Sequence, residues 1–235
     1  MAGQRVTRVI CATDPRGSAE TLERLLEAAA ERNAHAVSLV GDLSDGHGSP
    51  EGYRAVFRAL GAGALPVYWI PGPADAPVAH YLREAQNIEV VFPDLHGVHG
   101  TGAFAPDGHV VFAGLGGEIS DDPSAPRDEL ERLLYPRWEV EYRLKLLREL
   151  GEHQLVLMFW TPPAHKGLGA PGSEVLAELV STHRPRLVVC DGERGAHMLG
   201  RSLVVAPGSL QEGHYAIADL HAHEAELEQL AAARA

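Results

Sequence analysis

Two short apolar runs, each ending in an aspartate, constrain this chain more than any other feature. Val6–Ala12 leads into Thr13-Asp14-Pro15-Arg16-Gly17, and Val37–Val40 leads into Gly41-Asp42. Between them Ser18 reads as a helix N-cap, and Leu22, Leu25, Leu26 and Ala29 recur at helical spacing. A strand, a helix and a second strand in that order imply parallel pairing through a right-handed crossover. In an open α/β sheet the carboxyl ends of the strands border the ligand crevice, so Asp14 and Asp42 are expected to face one cleft.

The alternation continues. Pro50 opens a helix that carries Tyr53, Val56, Phe57 and Leu60 and stops at Gly61 and Gly63. Pro66–Ile70 reads as a third strand and Pro77–Gln86 as a short helix. Short strands are then predicted over Ile88–Phe92, Val98–Thr101, His109–Ala113 and Gly114–Gly117, with a polar loop over Asp121–Arg127. The longest helix is predicted over Glu129–Leu150, offset at Pro136, with Val140, Leu144, Leu147 and Leu150 turned to a core. Leu155–Trp160 and Leu187–Cys190 read as buried strands, and Ser173–His183 as a helix between them. Leu203–Ala206 and His214–Leu220 suggest a hairpin-rich end, and the Ala/Glu-rich tail from Ala222 a solvated helix. No linker or repeat interrupts the pattern, so one domain over residues 1–235 is expected.

The formal charge of −12, from 32 acids against 20 bases, argues against partners held by phosphate neutralisation, both nucleic acid and an anionic membrane surface. Cys11 and Cys190 both lie inside apolar runs and read as small buried hydrophobes. The N-terminal segment carries no apolar signal region and the chain no run of 18 apolar residues, which makes a cytoplasmic protein the expectation. No phosphate-binding glycine loop opens a helix, and no Gly-x-Ser-x-Gly elbow occurs, which removes the main support for ATPase, dinucleotide-binding and serine-hydrolase readings.

The order strand, Asp14-Pro15-Arg16-Gly17, helix, strand, Gly41-Asp42, helix, strand, Gly72-Pro73-Ala74-Asp75, closing with Val205-Ala206-Pro207-Gly208-Ser209, resembles the calcineurin-like metallophosphoesterases. Pro71–Pro77 and Tyr135-Pro136-Arg137-Trp138 resemble a compact bacterial subgroup of stand-alone domains. The resemblance implies a four-layer α/β/β/α sandwich with a dinuclear metal site at the strand ends. It also implies an Asp-x-His first motif, a Gly-Asp, a Gly-Asn-His-Asp, a strand-end histidine and a Gly-His-x-His. Against that pattern Asp14 and Asp42 are kept. Arg16 stands where the first histidine is implied, Pro73 and Ala74 where Asn and His are implied, and Trp160 at the strand-end histidine. Cys190-Asp191-Gly192-Glu193-Arg194-Gly195 matches the last motif, with no histidine before His197.

Two carboxylates cannot by themselves hold a pair of divalent ions. Three readings follow. In the first, most metal ligands are replaced and no cofactor is needed. Arg16 and Arg194, oriented by Asp14 and Asp42, then bind a phosphorylated or otherwise anionic small molecule, with Lys166 as a further anion contact and His165 as a general acid. The bland form of this reading is a collapsed site whose Asp–Arg pairs merely satisfy one another. In the second, Asp14 and Asp42 hold a Mn, Mg or Zn ion with help from His47, His165 or His197, and the chain is a remodelled phosphoester hydrolase. In the third, the chain is a non-catalytic interaction scaffold, with homo-oligomerisation left open.

Overall fold

A computed structural model of the chain describes residues 5–45, 48–165, 167–169 and 172–231. His47 and Lys166 therefore lie outside the described residues.

The chain runs β1 (Arg8–Thr13), α1 (Ala19–Glu31), β2 (Ala36–Val40), α2 (Pro50–Gly61), β3 (Val67–Ile70), α3 (Val78–Val91) and β4 (Leu95–Gly97). β5 (Thr101–Phe104), β6 (Val110–Leu115), β7 (Glu118–Ser120), β8 (Leu134–Pro136), α4 (Arg137–Arg143) and β9 (Gln154–Phe159) follow. The last part holds α5 (Glu174–His183), β10 (Leu187–Cys190), β11 (Gly195–Leu199), β12 (Ser202–Ala206), β13 (His214–Asp219) and β14 (Glu224–Gln229).

Two six-stranded sheets result, ordered β14-β13-β1-β2-β3-β4 and β11-β12-β10-β9-β6-β5. β1 to β4 pair in parallel, as do β6, β9, β10 and β12; the strands added at the edges are antiparallel. Three apolar layers hold the stack together. Leu22, Leu25, Val56, Phe57 and Tyr81 seat the first three helices on one sheet. Val140, Leu144, Leu147, Leu176 and Val180 seat the later helical segments on the other. Val9, Cys11, Tyr68, Phe112, Val156, Met158 and Val189 fill the space between the sheets. This is the four-layer α/β/β/α sandwich. Strands buried on both faces explain the unbroken apolar runs of β1, β2, β9 and β10. Both cysteines are buried and free, and burial pushes their thiols up. No helix among the described residues is long and apolar enough to cross a membrane.

Several expectations are corrected. β6 runs unbroken over Val110–Leu115 where two strands, His109–Ala113 and Gly114–Gly117, are expected, and residues 98–100 link β4 to β5 instead of forming a strand over Val98–Thr101. Ile88–Phe92 is the end of α3 and its cap: Ile88 and Phe92 continue the face of Tyr81 and Ala85 onto the core, while Val90 and Val91 point to solvent. The long helix over Glu129–Leu150 is divided. Leu134–Pro136 pairs with β7, Pro136 precedes the seven-residue α4, and Leu144–Glu149 continues as a tighter 3-10 turn. The tail from Ala222 turns and then forms β14, whose Ala225 and Leu227 point inward on alternate positions against β13.

Candidate functional site

The carboxyl ends of β1, β2 and β3 and those of β9, β10 and β12 meet at one end of the sandwich. Asp14 follows β1, Gly41-Asp42 follows β2, Trp160 follows β9 and Asp191 follows β10. Backbone hydrogen bonds join the first two loops: Asp14 N donates to Val40 O (3.1 Å), Arg16 N to Asp42 O (3.0 Å) and Gly17 N to Leu43 O (2.9 Å). Asp14, Arg16 and Asp42 all adopt left-handed backbone, with φ of 51°, 43° and 37°. Aspartate tolerates that region better than most residues; for arginine it is strained, as residues at functional sites often are.

Asp42 is buried and doubly engaged. Its Oδ1 accepts from Ala74 N at 2.9 Å, and its Oδ2 lies 3.4 Å from Arg16 Nη2. Gly72 makes this possible, because a Cβ there would stand 2.2 Å from Asp42 Oδ1. Asp14 is 8% exposed and its Oδ1 is buried with no hydrogen-bond partner. Burial, then the negative charges of Asp191 and Asp42, push its carboxyl up to about 8; Arg16 only partly opposes them. Asp191 is pushed upward chiefly by burial, with Asp42 adding to it.

Asp75 belongs to the same region but faces backbone. It is 0% exposed and accepts from Leu43 N (2.8 Å), Ser44 N (3.0 Å) and Gly72 N (2.8 Å). Burial raises it to about 6, against the lowering effect of those three donors. It ties the loop after β2 to the loop after β3, and thereby sets Asp42.

Trp160 packs its indole over Gly41, where a Cβ would come within 2.2 Å of Trp160 Cδ1, and its Nε1 is buried without a partner. Beside it opens a cleft of about 380 Å³ whose walls include Trp160, Ile119, Leu168, Pro162 and Asp191.

Of the residues expected from sequence, Arg16, Asp14 and Asp42 come together. Arg194 does not join them: its Nε donates to Pro207 O (3.2 Å) and its Nη2 to Glu228 O (3.0 Å). The physical reason is local. The chain turns at Gly192 straight into the edge strand β11, which carries the Arg194 side chain toward the Pro207 turn and β14. His165 and His197 pair with each other, ring centroids 5.7 Å apart, and His165 Nδ1 is buried without a partner. Among the described residues no group of three or more His, Cys, Asp or Glu side chains is gathered as a cation site, so His197 does not join Asp14 and Asp42 in one. Sequence reasoning does not single out Asp75 and Asp191 as site residues. The signal that could find Asp191 is its place directly after an apolar run, the same signal that finds Asp14.

A family profile described as metallophosphoesterase, calcineurin superfamily, matches residues 50–230. Among solved structures the chain is similar to TT1561 of Thermus thermophilus, with 41% identity, a TM-score of 0.90, and coverage of 97% of this chain and 100% of that one. It shares its fold with a dimetal phosphatase from Danio rerio, at 13% identity and a TM-score of 0.61 over 97% of this chain and 100% of that one. No curated protein matches the chain. With the profile covering well over half of its residues, the chain belongs to the calcineurin superfamily of metallophosphoesterases.

Proposed function

We propose that this chain uses the phosphoesterase fold without the two-metal mechanism and binds a phosphorylated or otherwise anionic small molecule at Arg16. The observation that carries this reading is the Arg16–Asp42 pair, 3.4 Å apart, with Arg16 half exposed and Asp42 buried. Divalent metal ions are usual in the family, and a pair of them needs several anionic or imidazole donors to offset mutual repulsion. The donors here are the carboxylates of Asp14, Asp42 and Asp191, with a permanent guanidinium against Asp42 and an indole where the family pattern implies an imidazole. That set does not fit a dinuclear centre.

It does suit an anion. Arg16 keeps donors free of Asp42 and can grip a phosphoryl group through two parallel hydrogen bonds. Asp14, held protonated at neutral pH, adds an O–H donor and no charge. The cleft beside Trp160 would take the rest of the molecule, its apolar wall against an apolar or aromatic portion.

Thermal unfolding in chelator with inorganic phosphate and nucleoside monophosphates tests this. Ligand at about 100 times its Kd adds about 2.7 kcal/mol, or about 5–10 °C for a domain of this size. Arg16→Gln should abolish the shift. A flat melting temperature across the panel would defeat the reading.

A second reading, a hydrolase with a remodelled one-cation site, is favoured by the unpartnered Asp14 Oδ1 beside Asp42 and Asp191. Asp14 and Asp42 would hold a Mn, Mg or Zn ion, which would supply Lewis-acid charge to a phosphoryl oxygen. Stoichiometric Mn together with Mn-dependent phosphodiester cleavage that disappears in Asp42→Asn would establish it over the first.

A further inference from the structure

At the end of the sandwich opposite the aspartates, β10 begins after Arg186, β12 begins after Arg201, and α5 ends at Arg184. These three arginines, with Gly200, Met198 and His223, line a surface cleft of about 510 Å³. Among the described residues eight arginines pair with a carboxylate: Arg16, Arg32, Arg54, Arg83, Arg127, Arg132, Arg137 and Arg143. Among the described residues Arg184, Arg186 and Arg201 have no such partner. Arg58 and Arg148 also lack one, but here three such guanidinium groups line one hollow in a chain of net charge −12.

The cluster is also oriented. Arg186 Nη1 is hydrogen-bonded to His223 Nε2. A protonated imidazole could not accept that bond, and burial together with the Arg186 charge does hold His223 below its usual range, while a hydrogen bond to the backbone of Arg201 works the other way. A neutral His223 thus links the Arg186 head group to the Arg201 backbone. Arg184 and His223 both sit in left-handed backbone, φ 48° and 58°, a region that histidine visits more readily than arginine. Gly200, φ 64°, has open space above it where a side chain would stand. The C-terminal end of α5 directs partial negative charge at the same place, which Arg184 offsets. The carboxylates of Asp219, Glu224 and Glu226 line a neighbouring hollow, which shares Met198 and His223 with this one.

We propose that Arg184, Arg186 and Arg201 form a second anion site, separate from the strand-end cleft, for a small molecule carrying two or more phosphoryl groups. Three planar forks around one hollow match several phosphoryl oxygens better than a single phosphate, which one arginine would satisfy. The reading does not depend on what the strand-end cleft binds.

Calorimetric titration of the full chain in chelator at low salt, with pyrophosphate as probe and inorganic phosphate and ADP as further arms, tests it. In an Arg16→Gln background, where the strand-end cleft no longer contributes, saturable pyrophosphate binding is expected to persist and to weaken about tenfold or more when Arg186→Gln/Arg201→Gln is added, since each lost charge-assisted hydrogen bond costs about that much. All three arginines face solvent, so these variants should melt with the wild type, and His223→Gln should weaken binding less than the double variant does. ADP bound more tightly than pyrophosphate would indicate a nucleotide, equal affinity a bare diphosphate group. Three results in the Arg16→Gln background overturn the proposal: no saturable binding, inorganic phosphate bound as tightly as pyrophosphate, or pyrophosphate binding unweakened when Arg186→Gln/Arg201→Gln is added.

Discussion

Asp14 is the residue at which folding and function pull apart most visibly. Its carboxyl rises from an ordinary value near 3.8 to about 8 because it is buried beside Asp191 and Asp42. A raised folded-state value means that the unfolded chain gives up the proton first. Stability from this group is therefore complete below about pH 3.8 and is lost progressively as the pH rises toward 8. The loss is at most about 1.4 kcal/mol per pH unit in that window. Asp14→Asn removes the titration and nearly keeps the shape. In chelator its melting temperature should exceed that of the wild type by a margin that widens by about 5 °C or more between pH 5 and pH 8. A margin independent of pH would show that Asp14 is ionised in the fold. Retaining a residue with such a cost is what a binding role would require. Residues of this kind are legible where they directly follow an apolar run. Arg194 is not, because sequence spacing does not say to which side an edge strand turns its side chains. Whether an aspartate faces a cleft or, like Asp75, a ring of backbone N–H groups depends on loops that no periodicity describes.

At the scale of elements, the loops after β2 and β3 are one unit closed by Asp75. Three backbone donors from Leu43, Ser44 and Gly72 converge on its carboxylate, and Tyr53 Oη donates to its carbonyl at 2.9 Å. Asp75→Ala would strand buried N–H groups and should cost about 3–5 kcal/mol, read as a lowered denaturant midpoint with an unchanged m-value. Asp42, aligned by the same loops, should lose its grip on Arg16, so phosphate-dependent stabilisation should fall as well. An Asp75→Ala protein with full ligand response would separate the clamp from the site. A second polar unit explains why the apolar spacing over Glu129–Leu150 overstates the helix. Tyr135 Oη donates to Glu129 Oε1 at 2.9 Å and lies 3.1 Å from His99 Nε2, while Arg143 bonds both Glu129 and Glu139. Burial lowers His99 to about 3, so it stays neutral and accepts from Gly116 N at 3.1 Å. These tertiary bonds draw Leu134–Pro136 into a strand pair despite a helical apolar spacing. The helices that sequence does disclose, α1, α2 and α5, carry serine caps and an apolar stripe that agree with each other.

For the whole molecule, the two sheets are related to the site differently from the helices that cover them. Asp14 and Asp42 come from one sheet, and Trp160 and Asp191 from the other, so the layer between the sheets fixes their separation. In that layer Tyr68 and Phe112 stack across the sheets with ring centroids 3.7 Å apart and planes 2° from parallel. Leu176, equally buried, instead packs α5 on the outer face of the second sheet. Phe112→Ala and Leu176→Ala should each cost about 2–5 kcal/mol, since each opens a cavity in a close-packed core. Their effects on the site should differ. The cavity between the sheets lets the two halves of the cleft shift against each other, and phosphate affinity should fall about fivefold or more, because a misplacement of about 1 Å at an oriented site is costly. The cavity under α5 leaves the spacing of the sheets intact and should leave affinity within about twofold, as expected for a distant, independent site. Equal losses of affinity at equal losses of stability would mean that the cleft responds only to global stability, and that the four layers move as one body.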